Sequence, residues 1–240
     1  RNASPETTTM CGRFTLTSTP EELARRFGLA ARPVHTARYN IAPGQPVLAV
    51  RSDDAGARRA APVRWGLVPA WSAAPDPGAR WINARVETLS EKPAFRDAFR
   101  ARRCLVPADA FYEWADHGGF RQPYRISLPG GALFAFAGLW ERWRDPQGAA
   151  LESCAIVTTD ASPGLRALHD RMPVVLPDAD FAEWLAPAQQ DVAALHALLG
   201  RARDPGFLHH AVSERVNSVS HDDPACAVPV APAPRQESLF

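Results

Sequence analysis

The chain has 240 residues, enough for one well-buried core or at most two small ones. Its formal net charge is +1 and its hydrophobic content is 46%, ordinary for a soluble globular protein, so overall charge does not announce a nucleic-acid binder. No apolar run reaches the roughly 18 residues of a membrane span, and the first residues lack the apolar core of a signal peptide. The expectation is a cytoplasmic protein with no membrane partner and with reduced cysteines.

In chain order, residues 1–9 ("RNASPETTT") are polar and patternless and read as a disordered or non-native leader. "TPEELARRFGL" predicts a short helix: Thr19 caps it, Pro20 suits its first turn and Gly28 ends it. "QPVLAVRS", "APVRWGLV", "RCLVPADAFYEW", "PYRISL", "ALFAFAGLWERW" and "SCAIVTT" read as strands. "GLRALHDRM", "DADFAEWLA" and "QQDVAALHALLG" read as helices. Many short strands with few helices and no regular βαβ alternation predict an α+β fold around an antiparallel sheet or barrel. From about Asp222 the pattern fades. The expected division is a leader (1–9), one catalytic domain (10–222) and an Ala/Pro-rich tail (223–240) that ends in "QESLF".

Four cysteines are present: Cys11, Cys104, Cys154 and Cys226. None has zinc-site spacing, and no metal is expected. Cys104 and Cys154 lie in apolar, strand-like runs and read as core; Cys226 sits near the tail. Cys11 directly follows Met10, one of only two methionines. Initiator removal at Met10 would leave Cys11 with a free α-amine beside its thiol. Lys92 is the only lysine, so lysine Schiff-base chemistry has almost no candidates, whereas arginines suited to phosphates are plentiful.

Six stretches combine polar side chains with turn-forming or aromatic neighbours: "MCGRF", "RYNIAPGQ", "RWGLVPAW", "WINARVET", "RRCLVPADAFYEW" and "LHDRMPVVL". Each alone is weak. Asn83 suits a turn cap as well as a site. Glu113, among large apolar residues, is either on a strand's solvent face or held inside with a raised pKa. His169 suits a helix end as well as a catalytic role. Most of the seven tryptophans must be packed in the core.

Together, and in this order from Met10 to about Val219, these stretches resemble the SOS response-associated peptidase (SRAP) family. The resemblance implies a compact α+β fold with an antiparallel β-barrel-like core, peripheral helices and a positive groove for single-stranded DNA. It implies that the protein senses abasic sites in single-stranded DNA and shields them through a reversible thiazolidine crosslink to terminal Cys11. It also implies a lyase-like DNA-repair activity in the SOS response, with a thiol autopeptidase that exposes Cys11. No cofactor is needed, because Cys11 supplies both ring heteroatoms.

Carried over position by position, the family's catalytic residues fall on Cys11, Asn83, Glu113 and His169. Its DNA contacts fall on Arg13, Asn40, Pro43, Trp71, Arg85 and Thr158. Asn83 orients the nucleophile and sugar, Glu113 holds or deprotonates the α-amine, and His169 shuttles protons. "QESLF" resembles a short clamp-docking motif, with Gln236, Leu239 and Phe240 as the anchors on the replication sliding clamp. A monomer suits a single-strand binder, with a nucleoid-associated location. The leader admits three readings: an artefact of the start, a segment removed by cleavage, or a persistent block on Cys11. In the last case the protein is a non-covalent single-stranded DNA binder. A cysteine hydrolase acting on other substrates is a further class, although nothing marks a peptide site.

Overall fold

A computed structural model describes residues 12–75, 80–202 and 204–232. The strands are β1 (Phe14–Leu16), β2 (Arg38–Ile41), β3 (Pro46–Ser52), β4 (Arg58–Trp65), β5 (Asn83–Arg85), β6 (Arg103–Ala108), β7 (Ala110–Asp116), β8 (Arg121–Ser127), β9 (Phe134–Arg144), β10 (Ala150–Asp160), β11 (Arg171–Pro173) and β12 (Leu208–Ala211). The α-helices are α1 (Pro20–Phe27), α2 (Arg96–Ala101), α3 (Phe181–Leu185) and α4 (Val192–Arg201). No helix of the described residues is long and apolar enough to cross a membrane.

The fold is α+β with a closed barrel. The ring runs β10–β4–β3–β6–β9 and closes where β9 meets β10 in a hairpin register from Arg144↔Ala150 to Gly138↔Ile156. Five strands in a ring cannot alternate direction at every seam. The forced parallel seam lies between β10 and β4, at Ser153↔Arg64 and Cys154↔Trp65. β5 then continues beside β10 in the same parallel sense, while β11 pairs antiparallel with the far end of β10. The second sheet, in the order β12–β8–β7–β1–β2, packs on the barrel. Phe14 of β1 stands at this junction, 5.2 Å from the Trp65 ring and 5.7 Å from Phe136, and Phe111 of β7 lies 6.1 Å from Phe136.

Local chemistry explains the elements. α1 starts on a complete capping box: Thr19 accepts from the Glu22 N–H, and the Glu22 carboxylate accepts from the Thr19 N–H at 2.8 Å. It ends at Gly28, whose φ of 61° is the left-handed region that favours glycine. β6 and β9 approach closely because Gly138 stands opposite Cys104; a Cβ there would lie 2.8 Å from the Cys104 sulfur.

The structure corrects two predicted elements. "RCLVPADAFYEW" is not one strand. It breaks at Asp109, whose buried carboxylate accepts from the Thr15 and Thr17 hydroxyls, and the halves go to different sheets. "GLRALHDRM" is not a helix. The Ala161 N–H donates to the Asp170 carbonyl at 2.8 Å, so the chain must fold back on β10 and enter β11; only turns fit between. Near the end of the described chain, Cys226 is fully buried, and the Asp222 carboxylate accepts from the Tyr39 and Asn40 N–H groups of β2.

Candidate functional site

The parallel pairing of β5 with β10 sets Asn83 opposite Ile156 and Arg85 opposite Thr158. The antiparallel pairing of β11 with β10 sets Pro173 opposite Thr158 and Arg171 opposite Asp160. One end of β10 therefore gathers Asn83, Arg85, Thr158 and the loop that carries His169. The Thr158 hydroxyl is buried with no hydrogen-bond partner among the described residues. Asn83 is half-buried and Arg85 is exposed.

Glu113 lies on β7 of the other sheet and is 3% exposed. It shares a face with Phe111 two residues earlier, and Phe111 packs on the barrel, so Glu113 points into the space between the sheets. β1 runs antiparallel beside β7, with Phe14↔Phe111, Thr15↔Ala110 and the Tyr112 N–H donating to the Arg13 carbonyl. The described chain therefore begins beside the Glu113 segment. Cys11 itself lies outside the described residues, as do Gln236, Leu239 and Phe240.

The His169 side chain is 11% exposed. Its Nδ1 accepts the Arg171 backbone N–H at 3.0 Å, and a carboxylate oxygen of Asp170 stands 2.8 Å from the same nitrogen. Burial lowers its pKa from 6.5. The Asp170 carboxylate opposes that shift, and the charge of Arg121 reinforces it. Asp170 loses because its side chain is 86% exposed and water screens it.

The other predicted contacts fall in varied settings. The Arg13 guanidinium donates to the Val216 carbonyl at 2.7 Å and to the Asn40 side-chain oxygen at 3.2 Å, and lies over the Trp114 ring. Burial lowers its pKa. Asn40 is fully buried, and its amide nitrogen faces the carbonyls of Val216, Ser218 and His221 at 2.7–3.1 Å. Pro43 is half-buried in the turn between β2 and β3, which Gly44 (φ 83°) allows. Trp71 is 66% exposed, although the next residue is anchored: the Trp143 indole N–H donates to the Ser72 carbonyl at 2.7 Å.

Two site residues were missed by sequence reasoning, Arg121 and Arg171. Arg171 stands inside the quoted "HDRMP" stretch, two residues after His169, so its signal was proximity to a singled-out histidine. Arg121 gave no such signal. The core thiols play no part: burial pushes Cys104 up to about 12 and Cys154 well above its usual value.

Comparison with known proteins shows the family and the fold. The chain is 40% identical over 219 residues to the abasic site processing protein YoqW of Bacillus subtilis, covering 90% of this chain and 97% of that one. It is 34% identical over 224 residues to the abasic site processing protein HMCES of Gallus gallus, covering 80% of this chain and 66% of that one. A crystal structure of a Bacteroides thetaiotaomicron protein superposes with a TM-score of 0.80 at 24% identity, over 92% of this chain and 100% of that one. One from Bordetella bronchiseptica gives 0.72 at 28% identity, over 85% and 100%. The sequence pattern described as SOS response associated peptidase (SRAP) matches residues 10–219, and the chain belongs to that family.

Proposed function

We propose that this protein processes abasic sites in single-stranded DNA by forming a covalent, reversible crosslink through Cys11. The observation that supports the reading is that β5, β10 and the loop before β11 gather Asn83, Arg85, Thr158 and His169 at one end of β10, while Glu113 is buried on β7. With Met10 removed, the Cys11 α-amine attacks the open-chain aldehyde and water leaves to give an imine. The thiol sulfur then adds to the imine carbon and its proton passes to nitrogen, closing a five-membered thiazolidine ring. Glu113 takes the proton that frees the amine, and His169 moves protons at the sugar oxygen. Arg85 grips a flanking phosphate, and exposed Trp71 offers a face for base stacking, worth roughly 1–3 kcal/mol per base. When residues precede Cys11, its thiol is proposed to attack the preceding carbonyl; the acyl group moves from nitrogen to sulfur, and water hydrolyses the thioester, releasing the leading segment as a carboxylic acid and leaving Cys11 with a free amine and thiol.

The test is the intact mass of protein made from a Met10 start, before and after mixing with an abasic-site oligonucleotide. A stable adduct that Cys11→Ala abolishes is expected. A trimmed protein that binds the oligonucleotide without a mass increase would leave a non-covalent binder. Autoproteolysis is lost if a Cys11→Ala chain still sheds residues 1–10.

The tail reading is separate: Gln236 would reach a polar site on a sliding clamp, and Leu239 and Phe240 would fill an apolar pocket. Deletion of residues 236–240 is expected to abolish clamp binding by the full chain while leaving the adduct yield unchanged. Clamp affinity that survives the deletion removes the idea.

A further inference from the structure

The His169 loop is tied to the rest of the site through one side chain, that of Arg171. Its guanidinium grips Glu87 in a bidentate pair, Nη1 to Oε1 at 2.7 Å and Nη2 to Oε2 at 2.9 Å. Nη1 also donates to Asp160 at 2.6 Å, and Nη2 to the Thr158 carbonyl at 2.9 Å. Those four bonds use all four terminal N–H groups, and the side chain is only 10% exposed. A phosphate would have to displace two carboxylates, so Arg171 is not built as a DNA ligand. Exposed ion pairs contribute little, but a mostly buried bidentate fork adds geometric specificity.

Glu87 sits in the single 3-10 turn Val86–Thr88 that follows β5, the strand carrying Asn83 and Arg85. The backbone ladder already holds β11 to β10. What the Arg171 side chain adds is the lateral tie from the His169 loop to the Asn83 segment. Its own backbone N–H is the donor to His169 Nδ1. We propose that Arg171 is a positioning residue: its side chain ties the His169 loop to the Asn83 segment and so fixes the His169 ring relative to Asn83. The inference rests on the crosslinking reading above for its kinetic consequence, and on the geometry alone for the ring's placement.

The experiment uses Met10-start protein with wild-type sequence, Arg171→Gln, Arg171→Lys and Glu87→Gln. Three quantities are read: the adduct rate on an abasic oligonucleotide, affinity for the same oligonucleotide undamaged, and the imidazole 15N shifts of His169. Arg171→Gln is expected to slow adduct formation about tenfold or more, while affinity for undamaged DNA stays within about twofold. The two ring nitrogens should drift from distinct acceptor and donor shifts toward an average. Arg171→Lys should rescue only in part, because an ammonium cannot fork onto Glu87. Glu87→Gln, which keeps the arginine, should fall between.

Wild-type rate and shifts in a folded Arg171→Gln would overturn the proposal. So would a parallel loss of rate and undamaged-DNA affinity, which would make Arg171 a phosphate ligand. If Arg171→Gln does not fold, Glu87→Gln decides: wild-type rate and shifts there count against the tie. If the wild-type protein forms no adduct, the crosslinking reading fails by itself, and the 15N comparison still decides whether Arg171 fixes the ring.

Discussion

Asn40 shows how far a residue's surroundings can differ from what its motif suggests. In "RYNIAPGQ" it reads as a loop residue near DNA, yet its amide ties β2 to the chain between Val216 and His221. Removing it takes one donor from each of the Val216, Ser218 and His221 carbonyls, at about 0.5–1.5 kcal/mol for a lost hydrogen bond. Asn40→Ala is therefore expected to lower the unfolding free energy by at least about 1 kcal/mol, read as a lower urea midpoint at unchanged m. His169 makes a pH-dependent prediction. Its folded pKa lies below the ordinary 6.5, so the folded protein binds fewer protons there than the unfolded chain. Its contribution to stability is complete above pH 6.5 and is lost as pH falls through the lowered pKa. Wild-type protein should lose more stability than His169→Gln on acidification, with Asp170, Arg121 and Arg171 as the charged groups that set the midpoint. In the proposed reaction, His169→Ala should slow adduct formation on the order of 10²–10⁴-fold and flatten its pH profile.

At the scale of elements, local signals were legible where they were self-contained. α1 carries its cap, its first-turn proline and its terminal glycine in one short run, and it forms as written. Thr19→Ala should cost about 1 kcal/mol, read as a small fall in Tm. The segment before β11 has an equally helical composition, but the pairing of Ala161 with Asp170 overrides it; propensity is a weak prior against a tertiary ladder. The division of β6 from β7 at Asp109 was hidden because its partners, Thr15 and Thr17, lie far away in sequence. Gly138 was equally silent. Gly138→Ala would press a methyl on the Cys104 sulfur and Val106, and should destabilise by about 1–3 kcal/mol in thermal or urea unfolding.

For the whole molecule, a buried arginine holds the helical side to the barrel. Arg103, 4% exposed at the start of β6, donates to the carbonyls of Trp184, Phe99, Arg100, Ala186 and Gln189. Burial drops its pKa to about 10. Its fork gathers the ends of α2 and α3 on one strand, a geometry that lysine cannot copy. Arg103→Met should cost more than about 3 kcal/mol, because several buried carbonyls lose their donor together. Arg103→Lys should recover little, and calorimetry on both variants checks the pair.

The sequence by itself determined the strand-rich class, the capped first helix, the core character of Cys104 and Cys154, and the family, because each is written in contiguous residues. It also named Asn83, Glu113 and His169. Only the tertiary structure decided how these stand to one another. An odd-stranded ring forces a parallel seam, that seam lets β5 continue beside β10, and β10 then collects Asn83, Thr158 and the His169 loop at one end. Such adjacency is a property of ring closure and register, which depend on pairings between residues distant in the chain. For the same reason Arg171, ordinary in sequence, becomes the side chain that joins two parts of the site.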